Sequence, residues 1–358
     1  MKPQAGTAFA TVPMQFVGPI KIVGPEVTDE VMVPLATYES PLWPSVSRGA
    51  KVSMLCGGIK AVVADDRMTR SVLLEAPDAA EAVRVISSLQ ARKADIARTV
   101  EGSSRFAKFL DLHTQVVANL LYLRFEFQTG DASGHNMVTQ AADVLIEWLT
   151  KEYPLLKYVS ISGNYCTDKK ASAVNGILGR GKNVITEIDI PRDLCAKILK
   201  TTPEKIVEIN IKKNLIGTML AGGLRSANAH FANMLLAFYV ATGQDAANIV
   251  EGSQGFVHAE VRKDPAGSGA GGLYFSATVP NIIVGTVGSG KDLEFVRKNL
   301  EMLGCLAERE PGRNARRLAV ICAATVLCGE LSLLAAQTNP GELMRAHLKM
   351  ERVKREGN

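Results

Sequence analysis

The order of hydrophobic patterns between residues 71 and 162 constrains the fold more than any other feature of the sequence. SVLLEA (71–76) predicts a strand, and Asp78 can cap an amphipathic helix through AAEAVRVISSLQ. Two more strands follow in RFAKFLDLHTQV and LLYLRFEF, where LYLRFEF alternates apolar and polar residues. A second helix after TGDASGHN (129–136) and a last strand, LKYVSIS (156–162), complete a β-α-β-β-α-β order. This order predicts a small, inserted ferredoxin-like domain at residues 71–162.

The rest of the chain, residues 1–70 and 163–358, is predicted to form one larger domain, since a chain of 358 residues has room for two. NVITEIDI (183–190) and KIVEINI (205–211) alternate as strands do. Residues 214–242 are mostly apolar and predict a buried central helix, and the C-terminal third is largely helical in pattern. We therefore predict an α+β fold, in which a large, mainly helical domain surrounds a long central helix.

The longest apolar run, from Leu318 to Gln337, has about the length of a membrane span. Glu330 lies inside this run beside Gly329, so we predict a buried core helix instead. The N-terminus lacks the layout of a signal peptide, and the six scattered cysteines favour reduced thiols over a zinc site or disulfides. A net charge of +5 does not require a nucleic-acid partner. Together these features predict a cytoplasmic protein that binds neither membrane nor nucleic acid.

Two glycine-rich motifs resemble nucleotide-binding patterns without meeting their requirements. GSGAGG (267–272) fits G-x-G-x-x-G, but loop-like residues precede it and a strand pattern follows it. GTVGSGK (285–291) fits the first part of a P-loop, but Asp292 stands where Ser or Thr should bind magnesium. We interpret the first motif as a loop and the second as a tight backbone turn near a ligand.

The run SGNYCTDKK (162–170) places three adjacent charges after an apolar strand, which alone is typical of a solvated turn. Together with GRGK (179–182), it resembles the hallmark of the 3-hydroxy-3-methylglutaryl-CoA reductase family. Further matches follow in the family's order: PLATYES (34–40), DRMTR (66–70), SSRFAKF (103–109), TGDASGHNM (129–137), KKNLIGTMLAGG (212–223), NAHFAN (228–233), GQDAA (243–247), GTVGSG (285–290) and LMRAH (343–347). The CTDKK form is similar to the first, biosynthetic class of the family, which prefers NADPH.

The resemblance carries expectations about fold, reaction and assembly. It implies a fold that is not a Rossmann fold and a small domain that binds NADPH. It implies the reduction of 3-hydroxy-3-methylglutaryl-CoA to mevalonate and CoA by two hydride transfers, in the mevalonate pathway of isoprenoid biosynthesis. It also implies a homodimer or homotetramer with active sites shared between subunits, and no metal.

Four residues match the family's catalytic positions. Lys169 matches the lysine that stabilises the oxyanion left by hydride transfer, a task that suits a fixed ammonium group. Glu39 matches the general acid, and Asp245 matches the aspartate that links this glutamate to the lysine. His347 matches the histidine that protonates the departing CoA thiolate, since histidine titrates near neutral pH.

Other matches predict contacts with the substrate and the cofactor. The residues expected around the substrate's carboxylate and its pocket are Arg70, Ser162, Asp168, Lys170, Lys213, His230 and Asn233, with Ser45, Arg48 and Lys200 as candidates for the CoA phosphates. The residues expected to contact NADPH are Ser104, Arg105, Phe106, Asp131, Ser133, Gly134, His135, Asn136, Val287 and Gly288. Ser104 and Arg105 resemble the pair near the 2′-phosphate, and the helix start at TGDASGHN (129–136) can hold phosphates with its N–H groups.

The match departs from the family's pattern at several positions. Ser133 and His135 stand where methionine is usual, and Lys291 replaces a small polar residue after the glycine turn. Two alternatives to the biosynthetic reductase stay open on the sequence. A degradative enzyme would oxidise mevalonate with NAD, against which Arg105 argues. A CoA-binding relative without activity would lack at least one of the four catalytic residues, and all four are present.

Overall fold

The computed structural model describes residues 8–104, 106–263, 271–345 and 348. The strands of this part of the chain are β1 (Met14–Val23), β2 (Thr28–Ala36), β3 (Ile59–Glu75), β4 (Lys108–Val117), β5 (Leu120–Gln128), β6 (Lys157–Ser160), β7 (Gly181–Ile190), β8 (Ser226–Ala227), β9 (Gly255–Val261) and β10 (Leu273–Ile282). The α-helices are α1 (Leu42–Leu55), α2 (Ala79–Ala91), α3 (Lys93–Ser103), α4 (His135–Glu152), α5 (Ala173–Leu178), α6 (Arg192–Leu194), α7 (Pro203–Ile209), α8 (Thr218–Leu220), α9 (Phe231–Ala241), α10 (Ile249–Gly252), α11 (Glu294–Met302) and α12 (Arg313–Gln337).

Strand β3 connects two sheets because it is long enough to belong to both. Its first half, up to Arg67, pairs with β7 and β1, and its second half, from Met68 to Glu75, pairs with β5 and β6. The larger sheet has the order β2-β1-β3-β7-β10-β9-β8. It is a mixed sheet, since the β1–β3 and β8–β9 pairs are parallel and its other pairs are antiparallel.

The smaller sheet has the order β4-β5-β3-β6 and is antiparallel throughout. Its strands and the helices α2 and α4 overlap the segments predicted for them, although β3 begins at Ile59, well before the predicted residues 71–76. Asp78 accepts a hydrogen bond from the Glu81 N–H at the start of α2. Helix α3 was missed. It buries Ile96 and Val100 in the core that the helices share with one face of the sheet.

The prediction of a mainly helical large domain was wrong, because this part of the protein contains a seven-stranded sheet. One strand of this sheet, β10, lies in the strand pattern that follows GSGAGG in the sequence, and most of it is buried. The prediction of a strand at residues 205–211 was also wrong. Thr202 caps the N–H of Lys205 and Pro203 occupies the first turn of α7, so helix-start signals outweigh the alternation.

The long central helix was predicted in the wrong segment. Residues 214–242 are interrupted at Gly222, which has a φ of +71°, and helix α9 begins only at Phe231. The long buried helix of the described structure is α12, which has the length and hydropathy to cross a membrane. Nearly all of its apolar stretch is buried, so the prediction of a core helix at residues 318–337 is confirmed.

Helix α1 packs closely on α12, and this contact forms part of the wall of a cleft. A Cβ atom at Gly49 would lie 2.5 Å from the Cα atom of Cys328, so only glycine allows this approach of the two helices. On the same face of α1, the hydroxyls of Ser45 and Ser332 are 3.0 Å apart. The crossing therefore fixes the wall of the cleft formed by α1 and α12.

Candidate active site

Lys169 and Asp245 form the charged pair at the centre of the candidate site. The Lys169 Nζ atom lies 2.8 Å from Asp245 Oδ2. Lys169 follows the small sheet in a loop whose backbone is left-handed at Asn164, Thr167 and Lys169, with φ values of 58°, 41° and 55°. Left-handed non-glycine residues persist only where surrounding contacts enforce them. Here the Asn175 side-chain amide donates to the Thr167 carbonyl at 3.0 Å and helps to hold the loop.

The pairing keeps both groups charged. The hydrogen bond with Asp245 raises the pKa of Lys169 against the opposing effect of burial. Burial pushes the pKa of Asp245 upwards, but the hydrogen bonds from Lys169 and the Ala247 N–H leave it below its ordinary value. An ammonium group is therefore held in a fixed position, as oxyanion stabilisation requires.

A buried network of charged and amide groups contacts the backbone of Lys169 and the neighbouring Asp168 carboxylate. Arg180, whose side chain is fully buried, lies 2.8 Å from the Asp168 carboxylate and 3.7 Å from that of Glu251. Glu251 accepts hydrogen bonds from the Lys169 N–H at 3.1 Å and from the Asn248 amide at 2.9 Å. Burial raises the pKa of Glu251. The network thus connects the backbone of Lys169 to the protein interior.

Sequence reasoning missed most of this network. Arg180 belongs to the GRGK motif that carried part of the resemblance, but the sequence assigned it no role. Glu251 and Asn248 gave no signal, because a buried polar residue is recognised only by its surroundings. Asp168, predicted to lie around the substrate's carboxylate, is engaged by Arg180 in this structure.

The residues of the predicted cofactor loop line a cavity of about 610 Å³ together with Asp245. Those predicted cofactor residues that line it are Ser133, Gly134, His135, Asn136, Val287 and Gly288. Gly134 precedes α4 with a φ of +97°, and no side chain caps the first N–H groups of that helix. Uncapped N–H groups at a helix start form a binding site for phosphate.

His135 is neutral in this environment. Burial, with the nearby charge of Arg180, lowers its pKa to about 4 despite the carboxylate of Asp168. Its Nε2 atom is 3.8 Å from that carboxylate, and its Nδ1 atom is 3.4 Å from the Ser133 hydroxyl. The imidazole is therefore available to the cavity as an uncharged hydrogen-bonding group.

Asp131 does not line this cavity, although the sequence predicted a cofactor contact for it. Its carboxylate accepts hydrogen bonds from the N–H groups of Gly312 at 3.0 Å and Ala315 at 2.9 Å. It therefore caps the start of α12, where a negative charge is favourable. The Asp131 carbonyl accepts from the Thr286 N–H at 2.8 Å, so one residue attaches the cofactor loop to both α12 and the glycine turn.

Gly285 provides the space for this attachment. A Cβ atom at this position would lie 2.7 Å from the Ala132 carbonyl carbon and 2.8 Å from the Asp131 carbonyl oxygen.

Replacing Gly285 with Ala should displace the loop, weaken dinucleotide binding about 10-fold and reduce the free energy of unfolding by about 1–3 kcal/mol. Titration of the cofactor and urea unfolding would measure the two effects. Gly217→Ala is a suitable control, since Gly217 has helical backbone angles and a Cβ atom there would meet only the Lys212 carbonyl, at an ordinary 3.7 Å. Unchanged cofactor affinity in Gly285→Ala would contradict this account of the loop.

Glu39 lines a second cavity, of about 440 Å³, at the crossing of α1 and α12. The predicted substrate residues around it are Ser45, Arg48, His230 and Asn233. Arg48 donates to the Ser332 hydroxyl at 3.0 Å and to Glu342 at 2.9 Å, so its guanidinium group holds the wall together. The linings of the two cavities share no residue, and no ion pair or hydrogen bond joins Glu39 to Lys169 or Asp245 within the described ranges.

Glu330 organises the wall that carries His230 and Asn233. The N–H groups of Ala229 and His230 donate to its carboxylate at 2.9 and 2.5 Å, which holds the segment just before α9. Burial raises the pKa of Glu330, in spite of nearby His230 and Lys213. The His230 Nδ1 atom is 3.3 Å from the Asn233 amide, so the predicted pair does share one face. Sequence reasoning used Glu330 only as evidence against a membrane span.

The remaining predicted residues line neither of these two cavities or lie outside the described part of the chain. Arg70 donates to the Thr139 hydroxyl at 2.5 Å, and burial lowers the pKa of Lys213. Ser162 and Lys170 are exposed. The Lys200 carbonyl accepts a hydrogen bond from the Asn339 side chain, and the Ser104 hydroxyl accepts from the N–H groups of Phe106 and Ala107. Arg105 and His347 lie outside the residues that the structure describes.

The chain matches known proteins over nearly its full length. The sequence model of the family described as hydroxymethylglutaryl-coenzyme A reductase matches residues 6–352. The chain is 44% identical to the 3-hydroxy-3-methylglutaryl-coenzyme A reductase of Pyrococcus horikoshii over 343 residues, which cover 95% of this chain and 81% of that relative. It is 41% identical to the reductase of Methanocaldococcus jannaschii over 346 residues, which cover 95% and 82%.

Solved structures agree on the fold. A class II 3-hydroxy-3-methylglutaryl-CoA reductase from Streptococcus pneumoniae, bound to NADPH in open conformations, superposes with a TM-score of 0.73 at 20% sequence identity. The superposition covers 94% of this chain and 88% of that one. The sequence matches define the class of this protein as an oxidoreductase. The chain belongs to the hydroxymethylglutaryl-coenzyme A reductase family, as the ordered motifs predicted.

Proposed function

We propose that this chain reduces 3-hydroxy-3-methylglutaryl-CoA to mevalonate and CoA with two molecules of NADPH, as a class I enzyme of the mevalonate pathway. The observation that carries the proposal is the 2.8 Å pair of Lys169 and Asp245 beside the 610 Å³ cavity. Each hydride transfer to a carbonyl carbon leaves negative charge on oxygen, and a fixed ammonium group stabilises that charge.

The cavity beside this pair suits a dinucleotide. Its volume lies within the range of small-molecule sites, and the uncapped start of α4 faces it through Gly134. NADPH supplies the hydride when bound. Ser133, Gly134 and Asn136 would hold its phosphates, and Ser104 and Arg105 are proposed to contact the 2′-phosphate, with Arg105 outside the described residues.

Different residues of the chain then stabilise the negative charge and donate the protons. Lys169 stabilises the oxygen that becomes negative, while Asp245 keeps the ammonium group protonated and oriented. Glu39 donates the proton that turns the last alkoxide into an alcohol. Protonation of the CoA thiolate is assigned to His347, which lies beyond the described residues.

The 440 Å³ cavity is proposed to hold the acyl part of the substrate. Glu39, His230 and Asn233 line it, and Lys213 lies close enough to Glu330 for the carboxylate to influence its pKa. A cation such as Lys213 can pair with the free carboxylate of the glutaryl group. We retain Arg70 and Lys170 as further contacts of this carboxylate.

The proposal is tested by the absorbance of the reduced nicotinamide during turnover. With 3-hydroxy-3-methylglutaryl-CoA, two NADPH should be consumed for each CoA released, and NADH should be used much more slowly. Faster use of NADH would favour the alternative NAD-dependent, degradative enzyme. If folded protein consumes neither cofactor, the chain would be a CoA-binding relative and the proposed reaction would be wrong.

We propose that residues 71–162 form an inserted ferredoxin-like domain that binds the cofactor. The β4-β5-β3-β6 order, antiparallel throughout, supports this assignment. A separate hydrophobic cluster on this sheet, made chiefly by its own strands and helices, supports it as well. The cofactor loop at residues 129–136 then belongs to this domain, and residues 1–70 and 163–358 carry the substrate.

We propose a homodimer or homotetramer in which two chains complete each active site. Glu39 lies in one cavity, whereas Asp245 lines the other and Lys169 pairs with it. The segment after Lys213 exposes large apolar side chains, with Met219 78% and Leu220 85% exposed. Such adjacent exposed apolar residues are typical of an interface between subunits. We propose that this segment forms part of the contact between the two chains.

Complementation between two inactive variants tests the shared site. Glu39→Gln and Lys169→Gln should each be almost inactive alone. In a co-expressed mixture, hybrid dimers would contain one site with both native residues, so activity should recover to roughly a quarter of the native level. Assays of the purified mixture measure this recovery. Absence of recovery in verified hybrid dimers would show that both residues act within one chain.

A further inference from the structure

Lys291 is a charged residue of the cofactor cavity that the proposed mechanism does not use. It ends the GTVGSGK turn, in which Gly288 and Gly290 have φ values of +101° and +84°. The Lys291 N–H donates to the Gly288 carbonyl at 3.3 Å, so the turn folds back on itself. The side chain lines the 610 Å³ cavity together with Ser133 and Gly134.

The ammonium group of Lys291 has no counter-charge in the described structure. Its Nζ atom donates to the Gly243 carbonyl, and no carboxylate of the described ranges forms an ion pair with it. Asp245 lines the same cavity, but its carboxylate is engaged by Lys169. Burial lowers the pKa of Lys291 to about 8, with no opposing contribution from a neighbouring charge. Burying an unpaired cation has a cost in free energy, and a ligand that supplies an anion would offset this cost.

We propose that Lys291 binds the pyrophosphate of the dinucleotide, opposite the start of α4. This inference rests on the proposed function, because it names a further residue for the same cofactor. Two anion-binding features face one cavity: the Lys291 ammonium group and the uncapped N–H groups that follow Gly134. Ser104, the predicted contact of the 2′-phosphate, is not among the cavity's lining residues. The pyrophosphate is therefore the phosphate group that fits this position.

The assignment makes Lys291 a determinant of affinity that does not distinguish NADPH from NADH. Both cofactors contain the pyrophosphate, and only NADPH contains the 2′-phosphate. A hydrogen bond to a charged group corresponds to about a 10- to 100-fold change in affinity. Loss of the Lys291 charge should therefore weaken both cofactors by the same factor and leave their ratio unchanged.

Equilibrium titration of the purified full chain with NADPH and with NADH, followed by nicotinamide fluorescence, tests this inference. Lys291→Gln keeps a donor for the Gly243 carbonyl and removes the charge, and it should weaken both cofactors about 10- to 100-fold. Lys291→Arg should retain most of the affinity. The control is Lys298→Gln, an exposed lysine of α11 that pairs with Glu294. Thermal unfolding of each variant shows whether the fold is intact.

Each outcome decides the inference. An equal loss for NADPH and NADH in Lys291→Gln, absent in Lys298→Gln, supports it. A loss for NADPH alone would move Lys291 to the 2′-phosphate and overturn the pyrophosphate assignment. Unchanged affinities would overturn any phosphate contact. If the native chain binds neither dinucleotide, the proposed function fails as well, and this result is distinct from a failure at Lys291 alone.

Discussion

Replacing Lys169 with Gln should lower kcat by about 100- to 1,000-fold and leave NADPH affinity nearly unchanged. The side chain stays polar and similar in length, but the charge that stabilises the developing oxyanion is lost. Lys169 already has a fixed position in the free protein, since Asp245 holds its Nζ atom at 2.8 Å. Steady-state rates with saturating NADPH measure the effect on kcat, and cofactor titration measures the affinity.

Two comparisons separate the role of Lys169 from a general loss of charge. Lys212→Gln removes an exposed lysine that pairs with Glu208 and should leave kcat unchanged. Asp245→Asn should lower the pKa of Lys169, because the hydrogen bond with Asp245 is the main cause that raises it. The alkaline loss of activity should then begin at a lower pH than in the native protein. A Lys169→Gln variant with native kcat would contradict the assigned role.

Replacing Arg180 with Met should reduce the free energy of unfolding by about 3–5 kcal/mol. The substitution leaves the carboxylates of Asp168 and Glu251 without their buried cation. It should also lower kcat, because Glu251 accepts a hydrogen bond from the backbone of Lys169. Urea unfolding and steady-state kinetics would measure the two effects.

The stability loss in Arg180→Met should depend on pH. Burial already raises the pKa of Glu251 above its ordinary value of 4.5, and loss of Arg180 should raise it further. A carboxyl group with a raised pKa in the folded state destabilises the protein as pH rises above its unfolded-state value. The deficit should therefore shrink as the pH falls towards 4.5. Arg84→Met, in an exposed pair with Glu81, is the matched control and should change little. An equal deficit at all pH values would contradict this assignment.

The elements of residues 71–162 could be predicted from the sequence because their signals are local. A capping aspartate, alternating strands and an amphipathic helix each act within one turn or one strand. Helix α3 was missed because its polar sequence buries only Ile96 and Val100, which gives a weak helical pattern. The long core helix was assigned to residues 214–242 because apolar content does not show where a glycine turn interrupts a helix.

The family followed from the sequence, and the ordered motifs also predicted the candidate catalytic residues, since such motifs preserve the residue types that the chemistry requires. Lys169 and Asp245 are 76 residues apart in the sequence. Their pairing was predicted only through the resemblance to the family. The buried charged network that contacts the backbone of Lys169 was not predicted. Arg180, Glu251 and Asn248 act through burial and mutual distance, which no local pattern encodes.

The sequence by itself determined the small sheet's elements, the core helix at residues 318–337 and the reductase family. Only the tertiary structure decided that the large part of the protein is built on a seven-stranded sheet, and that Asp131 caps α12 instead of lining the cofactor cavity. It also decided which cation of the cavity, Lys291, has no counter-charge among the described residues. These properties depend on which distant segments pack against each other and exclude water from the groups between them. A short stretch of sequence does not specify such contacts, so it does not show which groups are desolvated.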